Sequence, residues 1–205
     1  MKILKRSSIV LISLATLLFV FSSCTSHSGT KVLSKFLKDF KNRKIEESYN
    51  YLVDNEEKNA FVEYINTLTD KNKDLDEFEK VNKAIANKLF DFDYDIIESK
   101  NIDRKNIEVK LNYKYYDFSQ VYELALNDFL NKALDFDNLD GFYTKESITA
   151  LLLDHINKVK KHEEQIVVKL VKDKEFKILM DSKLAELITG NSIKIINKVK
   201  NNMLS

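Results

Sequence analysis

The chain has 205 residues, of which 44% are hydrophobic and 32% are charged, and its formal net charge is +1. This balance is typical of a folded globular domain and excludes wholesale disorder, and the lack of a basic surplus argues against a nucleic-acid-binding protein. Proline is absent and glycine occurs three times, so few residues mark turns, which favours helices and long hairpins over a many-stranded sandwich.

Residues 1–23 have the pattern of a signal peptide. Three basic residues precede an apolar run, 9–21, which is short for a transmembrane helix. Two serines then precede Cys24, the one cysteine of the chain. This order resembles the bacterial lipoprotein signal, in which the cysteine becomes the mature N-terminus and carries a diacylglyceryl group with palmitate-type chains. Phe21 stands where that signal usually has leucine.

The lipoprotein interpretation predicts a location outside the cytoplasm, on the cell membrane or the outer membrane. An ordinary secretory signal with a free thiol and an uncleaved membrane anchor are the alternatives. Cleavage before Cys24 would leave 30 basic against 32 acidic residues. A single cysteine forms no disulfide within the chain, so the core must supply the stability. We expect a lipidated tether at 24–31 and one domain at 32–205.

From residue 32 the apolar spacing becomes helical. The predicted amphipathic helices cover 33–40, 45–52, 60–68 and 75–89.

At Phe90 the spacing changes to two. Apolar and polar residues alternate in FDFDYDI and again in IEVKLNYKY, and the polar segment 99–106 between them predicts an antiparallel hairpin. One face then carries the aromatic residues of both strands, and the other carries aspartates and lysines that we expect to pair across the strands.

A pair of helices is predicted next, at 121–134, with Asp117 or Ser119 as its cap, and at 146–160. A second hairpin follows, with its turn at Asp173–Lys174. A short helix then ends at Gly190, a residue suited to a helix C-cap, and a last amphipathic helix covers 192–203. This order predicts an α+β domain, with N-terminal helices on an antiparallel sheet and a helix pair inserted between two hairpins.

Three segments resemble the cystatin-like or nuclear-transport-factor-two-like lipoproteins of bacteria, many of which are domains of unknown function. They are FLKDFKNRKIEESYNYL, VKLNYKYYDFSQVYE and VVKLVKDKEFKILMDSKLAELITG. Where relatives have a Gly-Lys-Trp turn, this chain has Lys174 and Glu175 before Phe176. The resemblance implies a curved sheet wrapped around a helix, forming a cone that some relatives use as a pocket. It implies no chemistry.

Metal sites have little support in the sequence. The segment DFDNLDGFYTKE, from Asp135, has the length of a calcium-binding loop, but leucine and aspartate stand where such a loop needs an oxygen ligand and a glycine. Asp91, Asp93 and Asp95 alternate along a strand, which favours a solvated sheet face over a compact metal cage. His155 and His162 lie two helical turns apart, without a convincing third ligand for zinc. We therefore predict no metal and no cofactor.

The candidate pocket residues are Tyr94, Tyr113, Tyr115 and His155, since tyrosine hydroxyls would be polar groups inside an incompletely filled cone. We expect a non-catalytic module that binds an unknown ligand or protein partner. One alternative is a cone-pocket enzyme of the isomerase or dehydratase type, built on His155 with Tyr113 or Tyr115. A second is a structural or host-facing surface lipoprotein that uses helix 192–203 as its contact face.

Overall fold

The structure, a computed structural model, describes residues 28–69, 77–133 and 144–196. Cys24, most of the loop that begins at Asp135 and the end of the last predicted helix lie outside these residues. The elements in chain order are α1 (28–41), α2 (Ile45–Tyr49), α3 (Glu56–Thr69), α4 (Glu77–Leu89), β1 (Asp93–Asn101), β2 (Asn106–Tyr116), α5 (Val121–Ala133), α6 (Lys145–Lys158), β3 (Lys161–Lys172), β4 (Phe176–Ile178), α7 (Ser182–Ile188) and α8 (192–196).

The strands of the described residues form an open antiparallel sheet in the order β1-β2-β3-β4. The chain leaves the sheet after Tyr116, forms α5 and α6, and returns at Lys161, which pairs with Tyr116. The two strands on either side of the helix pair are therefore direct neighbours. The predicted α+β class, and the helix pair between two hairpins, are confirmed.

The register of the first hairpin places opposite charges across from each other. Asp93 stands opposite Lys114, and Lys100 stands opposite Glu108. Lys114 and Glu108 alternate with buried apolar residues of β2, so these positions lie on the solvent face of the sheet. The ion pairs that Asp93 forms, however, are with lysines of α1 and β3.

A β-bulge at Ile97 makes β1 longer than its sequence pattern predicts. Ile96 pairs with Leu111 and Glu98 pairs with Lys110, so Ile97 has no opposite residue. The extra residue shifts the alternation by one, which places Ser99 and Asn101 opposite the buried residues of β2. The strand continues to Asn101, where a strict period of two predicts a loop from residue 99.

Aromatic rings fill the space between α1 and the sheet. The Phe40 ring centroid lies 5.0 Å from that of Phe90, 5.6 Å from Phe61 and 6.1 Å from Phe92. Phe92 lies 5.1 Å from Tyr113 in the same way. All five side chains are buried, and rings of this size dominate the burial energy of a core. These side chains therefore occupy the space between α1 and the sheet, where a cone-shaped domain would hold a pocket.

α7 ends in two left-handed residues that attach it to the end of β2. Gly190 has φ +58° and Asn191 has φ +63°, and the Phe118 N–H donates to the Gly190 carbonyl at 2.9 Å. A Cβ atom at Gly190 would collide with the Tyr116 carbonyl oxygen and lie 2.6 Å from the Phe118 ring. Glycine is therefore required here both by its backbone angle and by space.

α1 begins earlier than the expected domain start at residue 32. Residues 28–31 are helical, and Gly29 is buried so closely against Ile107 that an added Cβ would lie 2.9 Å from its side chain. Ile107 is the second residue of β2. The part of the expected tether from residue 28 onward is therefore folded, because the absence of a side chain at Gly29 lets the helix pack on the strand.

Candidate functional site

An open groove of about 560 Å³ lies at the end of the sheet where β2 ends and β3 begins. The ends of α5, α6 and β3 meet there because Tyr116 and Lys161 are paired. The lining includes apolar, basic and acidic groups, a mixture suited to an amphiphilic ligand. The lining residues are Asp117, Ser119, Gln120, Val121, Leu124, His155, Lys158, Val159, Lys160 and His162.

Asp117 organises the entrance to α5. Its Oδ1 accepts the Ser119 N–H at 2.8 Å, and the Asn191 side chain also donates to it. Burial raises the pKa of Asp117, but the hydrogen bonds from Asn191 and Ser119 and the nearby His162 ring outweigh this and hold the pKa below its ordinary value. The carboxylate is therefore already bonded within the protein.

Asn191 also bonds an aromatic residue of β2. Its side chain forms a hydrogen bond with the Tyr115 hydroxyl. Burial, reinforced by the charges of Asp117 and Glu164, raises the pKa of Tyr115 to about 12. This tyrosine remains protonated at physiological pH, so its hydroxyl is a neutral hydrogen-bonding group beside the groove.

The His155 ring forms one wall of the groove and is paired with an acid. Its Nε2 lies 3.0 Å from Asp128 Oδ2, and the His155 side chain is 12% exposed. His155 is in the last turn of α6 and Asp128 is in α5, so this contact joins the two helices beside the groove. A carboxylate bonded to one imidazole nitrogen fixes the orientation of the ring.

The four predicted pocket residues do not line one cavity. His155 lines the groove, whereas Tyr113 is fully buried, with its ring 5.6 Å from Tyr115 and 5.1 Å from Phe92. Tyr94 is half-buried beside Phe92. Tyr115 approaches the groove through His162, whose ring lies edge-on at 5.9 Å. The tyrosines of the alternating strands thus belong mainly to the core.

Three groups that shape the site are not identified as site residues by the sequence: Asp117, Asp128 and Asn191. The sequence predicts Asp117 as a possible helix cap, which the structure supports, but helix capping alone predicts no groove. Asp128 lies 27 residues before its histidine partner. A contact that depends on how two helices pack leaves no local signal in the sequence.

The alternating aspartates are not simply a solvated face. Lys161 Nζ bonds Asp91 Oδ1 at 3.0 Å and Asp93 Oδ2 at 2.9 Å, and Lys41 Nζ bonds Asp93 Oδ1 at 3.0 Å. The Tyr116 hydroxyl donates to Asp91 at 3.2 Å. We call Lys41, Asp91, Asp93, Tyr116 and Lys161 the charge clamp. It connects α1, the entrance to β1 and the paired ends of β2 and β3.

Over 28–69, 77–133 and 144–196, no three His, Cys, Asp or Glu side chains are grouped as a metal site would require. The calcium-like loop lies outside the described residues as far as residue 143. Its end is described: Thr144 accepts the Ser147 N–H at 3.2 Å, so Thr144 caps the start of α6.

None of the described helices combines the length and the apolar character needed to cross a bilayer. The apolar run at 9–21 lies outside the described residues.

Comparisons with known proteins give a distant similarity. No protein-family model matches the chain, and no curated protein matches it. A solved structure of a presumed lipoprotein, YcdA of Bacillus subtilis, is similar to 70% of this chain at 18% identity and a TM-score of 0.40. The match spans 49% of that protein, about half its length. A similarity this distant says nothing of ligand, partner or reaction.

Proposed function

We propose that the chain is a membrane-anchored, extracytoplasmic lipoprotein whose domain binds a ligand or a protein partner without catalysing a reaction. The observation that carries this proposal is the N-terminal sequence, in which a basic start and an apolar run lead to Ser-Ser-Cys24. The described domain begins four residues after that cysteine. We further propose that it belongs with the cystatin-like or nuclear-transport-factor-two-like lipoproteins that its sequence resembles.

The groove supports the binding role. Val121, Leu124 and Val159 provide apolar surface, and Lys160 and His162 provide basic groups. Two other lining residues are already paired, His155 with Asp128 and Lys158 with Asp154 at 2.6 Å. Asp117 keeps its negative charge, because its hydrogen-bond donors are neutral groups, and this charge offsets that of Lys160. We infer that a small amphiphilic ligand fits the groove best.

The His155–Asp128 pair supports a second candidate, an enzyme of the isomerase or dehydratase type. A histidine held by a carboxylate resembles the general bases of such enzymes. The predicted version of this site used Tyr113 or Tyr115 as the partner acid. Tyr113 is instead buried and does not line the groove, so the observed pair would act without it.

A third candidate, the structural or host-facing surface lipoprotein, has support in α5. The solvent side of this helix exposes Tyr122, Leu126 and Leu130, at 38%, 56% and 49%. Apolar stripes of this kind occur at protein contacts. The predicted contact helix is described only as far as residue 196, where Ile196 is 39% exposed.

The anchor is tested by Cys24→Ser. We expect this variant to lose incorporated fatty acid and to leave the membrane fraction, while wild-type protein retains both. Ser23→Ala is the matched control, because it changes the neighbouring small residue and keeps the thiol. A Cys24→Ser protein that still fractionates with membranes, or wild-type protein without fatty acid, would contradict the proposal.

The groove is tested by native mass spectrometry of the purified protein. We expect a co-purifying small molecule that is lost in Leu124→Trp, since the larger ring would fill the groove. Leu126→Trp is the matched control, because Leu126 is also exposed on α5 but does not line the groove. Wild-type protein without a bound molecule, or equal retention by both variants, would contradict the small-ligand proposal.

A further inference from the structure

The end of the sheet opposite the groove carries a basic surface with one exposed apolar side chain. We define it as the basic tip: Lys31, residues 100–105 and residues 172–175. The β1–β2 turn and the β3–β4 turn lie side by side there, because the Lys172 N–H donates to the Lys105 carbonyl at 2.7 Å. Ile102 projects from this end with 49% of its surface exposed.

The β1–β2 turn is held rigidly by Asp103. Its carboxylate accepts the Lys105 N–H at 2.7 Å and the Asn106 N–H at 2.9 Å, and the Asn106 amide also donates to it. The Ile102 N–H bonds the Asn106 carbonyl at 2.9 Å. Side-chain hydrogen bonds from Asn106 and backbone bonds from Lys105 hold the pKa of Asp103 below its ordinary value. These hydrogen bonds fix the conformation of the turn and therefore the exposed position of Ile102.

Charge is concentrated at this end of the molecule. The basic tip contains six cations, Lys31, Lys100, Arg104, Lys105, Lys172 and Lys174, against three carboxylates, Asp103, Asp173 and Glu175. Next to the basic tip, Glu108 of β2 stands opposite Lys100 of β1 on one side and Lys169 of β3 on the other. The chain after Cys24 has slightly more acidic than basic residues, so this local surplus does not follow from composition.

The chain length between the anchor and the domain fixes which end can approach the membrane. Residue 28 follows Cys24 by four positions, and an extended chain of that length spans at most about 14 Å. Gly29 packs on Ile107, directly after the β1–β2 turn. The N-terminus of α1 therefore lies at the basic tip, so a lipid on Cys24 would hold this tip close to the bilayer.

We propose that the basic tip docks on an anionic lipid surface, with Ile102 inserted among the headgroups and the surrounding lysines and arginine on the phosphates. This inference rests on the proposed lipid anchor. An exposed apolar residue within a basic surround is the composition that membrane-surface segments use. The groove would then face away from the membrane, because β2 runs from Asn106 to Tyr116, about 30 Å.

The chain contains no tryptophan, so a single introduced tryptophan reports on its own position. Ile102→Trp and Leu124→Trp are matched probes, since the two residues are 49% and 46% exposed at opposite ends of the sheet. Each lipidated full-length protein is purified from membranes and reconstituted into vesicles of phosphatidylcholine and phosphatidylglycerol with brominated acyl chains. We expect the emission of the Ile102→Trp protein to fall by about half or more, since membrane-surface residues reach the acyl boundary. The emission of the Leu124→Trp protein should stay unchanged.

A charge variant distinguishes docking of the basic tip on lipid from its being held near the bilayer by the anchor alone. The Ile102→Trp protein is combined with Arg104→Glu and Lys105→Glu. These changes should weaken docking at least about tenfold, because each lost cation removes an attraction to the anionic lipid surface. Quenching should then fall to the level of the Leu124→Trp protein. The matched control, Lys158→Glu with Lys160→Glu, changes two cations at the other end and should preserve the quenching. Vesicles of phosphatidylcholine alone, which lack the anionic lipid, should also abolish the quenching of the Ile102→Trp protein.

The outcomes distinguish this inference from the anchor proposal. If the lipidated protein floats with the vesicles, yet the Ile102→Trp and Leu124→Trp probes are quenched equally, the docking inference is overturned and the anchor stays intact. A basic tip that instead contacts a protein would give this result. A purified protein without lipid mass on Cys24 overturns the anchor proposal, and the docking inference falls with it.

Discussion

Gly190 is the residue with the sharpest steric requirement among those described. An alanine there would occupy a left-handed backbone conformation and collide with the Tyr116 carbonyl oxygen. We expect Gly190→Ala to lower the free energy of unfolding by about 2–4 kcal/mol, from backbone strain and the clash together. Chemical denaturation followed by circular dichroism measures this change.

The matched control is Gly29→Ala. Its Cβ would lie 2.9 Å from the buried Ile107 side chain, which would have to shift, but the position is helical and its backbone needs no left-handed conformation. The helix propensity gained from alanine, about 1 kcal/mol, should offset part of this cost, so Gly29→Ala should destabilise the protein less than Gly190→Ala. Equal destabilisation by the two variants would contradict the account of Gly190.

Asp117 should make the stability of the groove end depend on pH. Its pKa in the folded protein is lowered, so the stabilising contribution is present above the unfolded pKa of about 4 and is lost as the pH falls through the folded value. Asp117→Asn should therefore flatten the decline of stability on acidification below about pH 4. Denaturation midpoints measured at a series of acidic pH values test this, and an unchanged slope would contradict it.

At the scale of elements, the charge clamp should stabilise the junction of α1 with the sheet. Lys161 is 18% exposed and contacts two carboxylates, so Lys161→Met should cost about 1 kcal/mol, near the upper end for partly exposed ion pairs. Lys158→Met removes a single ion pair, formed by a lysine that is 69% exposed. This variant should change the free energy of unfolding by less than about 0.5 kcal/mol. Thermal unfolding of both variants makes the comparison, and equal effects would contradict a role for the clamp.

Elements with strong periodicity are predictable from the sequence, and the exceptions have specific causes. The alternation of β2 and the apolar stripe of α6 each follow from local burial, so a pattern of residues is enough to find them. The end of β1 departs from its pattern because one bulged residue, Ile97, reverses the alternation. Residues 45–52 form a single helical pattern, yet α2 ends at Tyr49, since Leu52 forms a parallel bridge with Ile178. That partner lies far away in the sequence.

The candidate site is less predictable than the fold. The sequence places His155 on its helix, but its contact with Asp128 depends on how α5 and α6 pack. The meeting of α5, α6 and β3 depends in turn on the pairing of Tyr116 with Lys161. The strand tyrosines resemble pocket residues because they are polar and aromatic. The structure buries Tyr113 and Tyr115 because the Tyr113 ring packs between those of Phe92 and Tyr115 in the core.

At the scale of the whole molecule, the domain has two ends with different chemistry. The groove lies at one end of the sheet, and the basic tip lies at the other, beside the start of α1. A lipid on Cys24 would combine them into a module that presents its groove away from the bilayer and keeps it at a high local concentration near the membrane.

Whether Cys24 is lipidated can be read from the mass of the N-terminal peptide. Protein purified from membranes is digested, and its first peptide is measured by mass spectrometry before and after alkaline removal of ester-linked acyl chains. We expect a chain that starts at Cys24 and carries a diacylglyceryl mass, which falls to that of glyceryl-cysteine after hydrolysis. A first peptide that begins at another residue, or one that contains unmodified Cys24, would contradict the lipoprotein proposal.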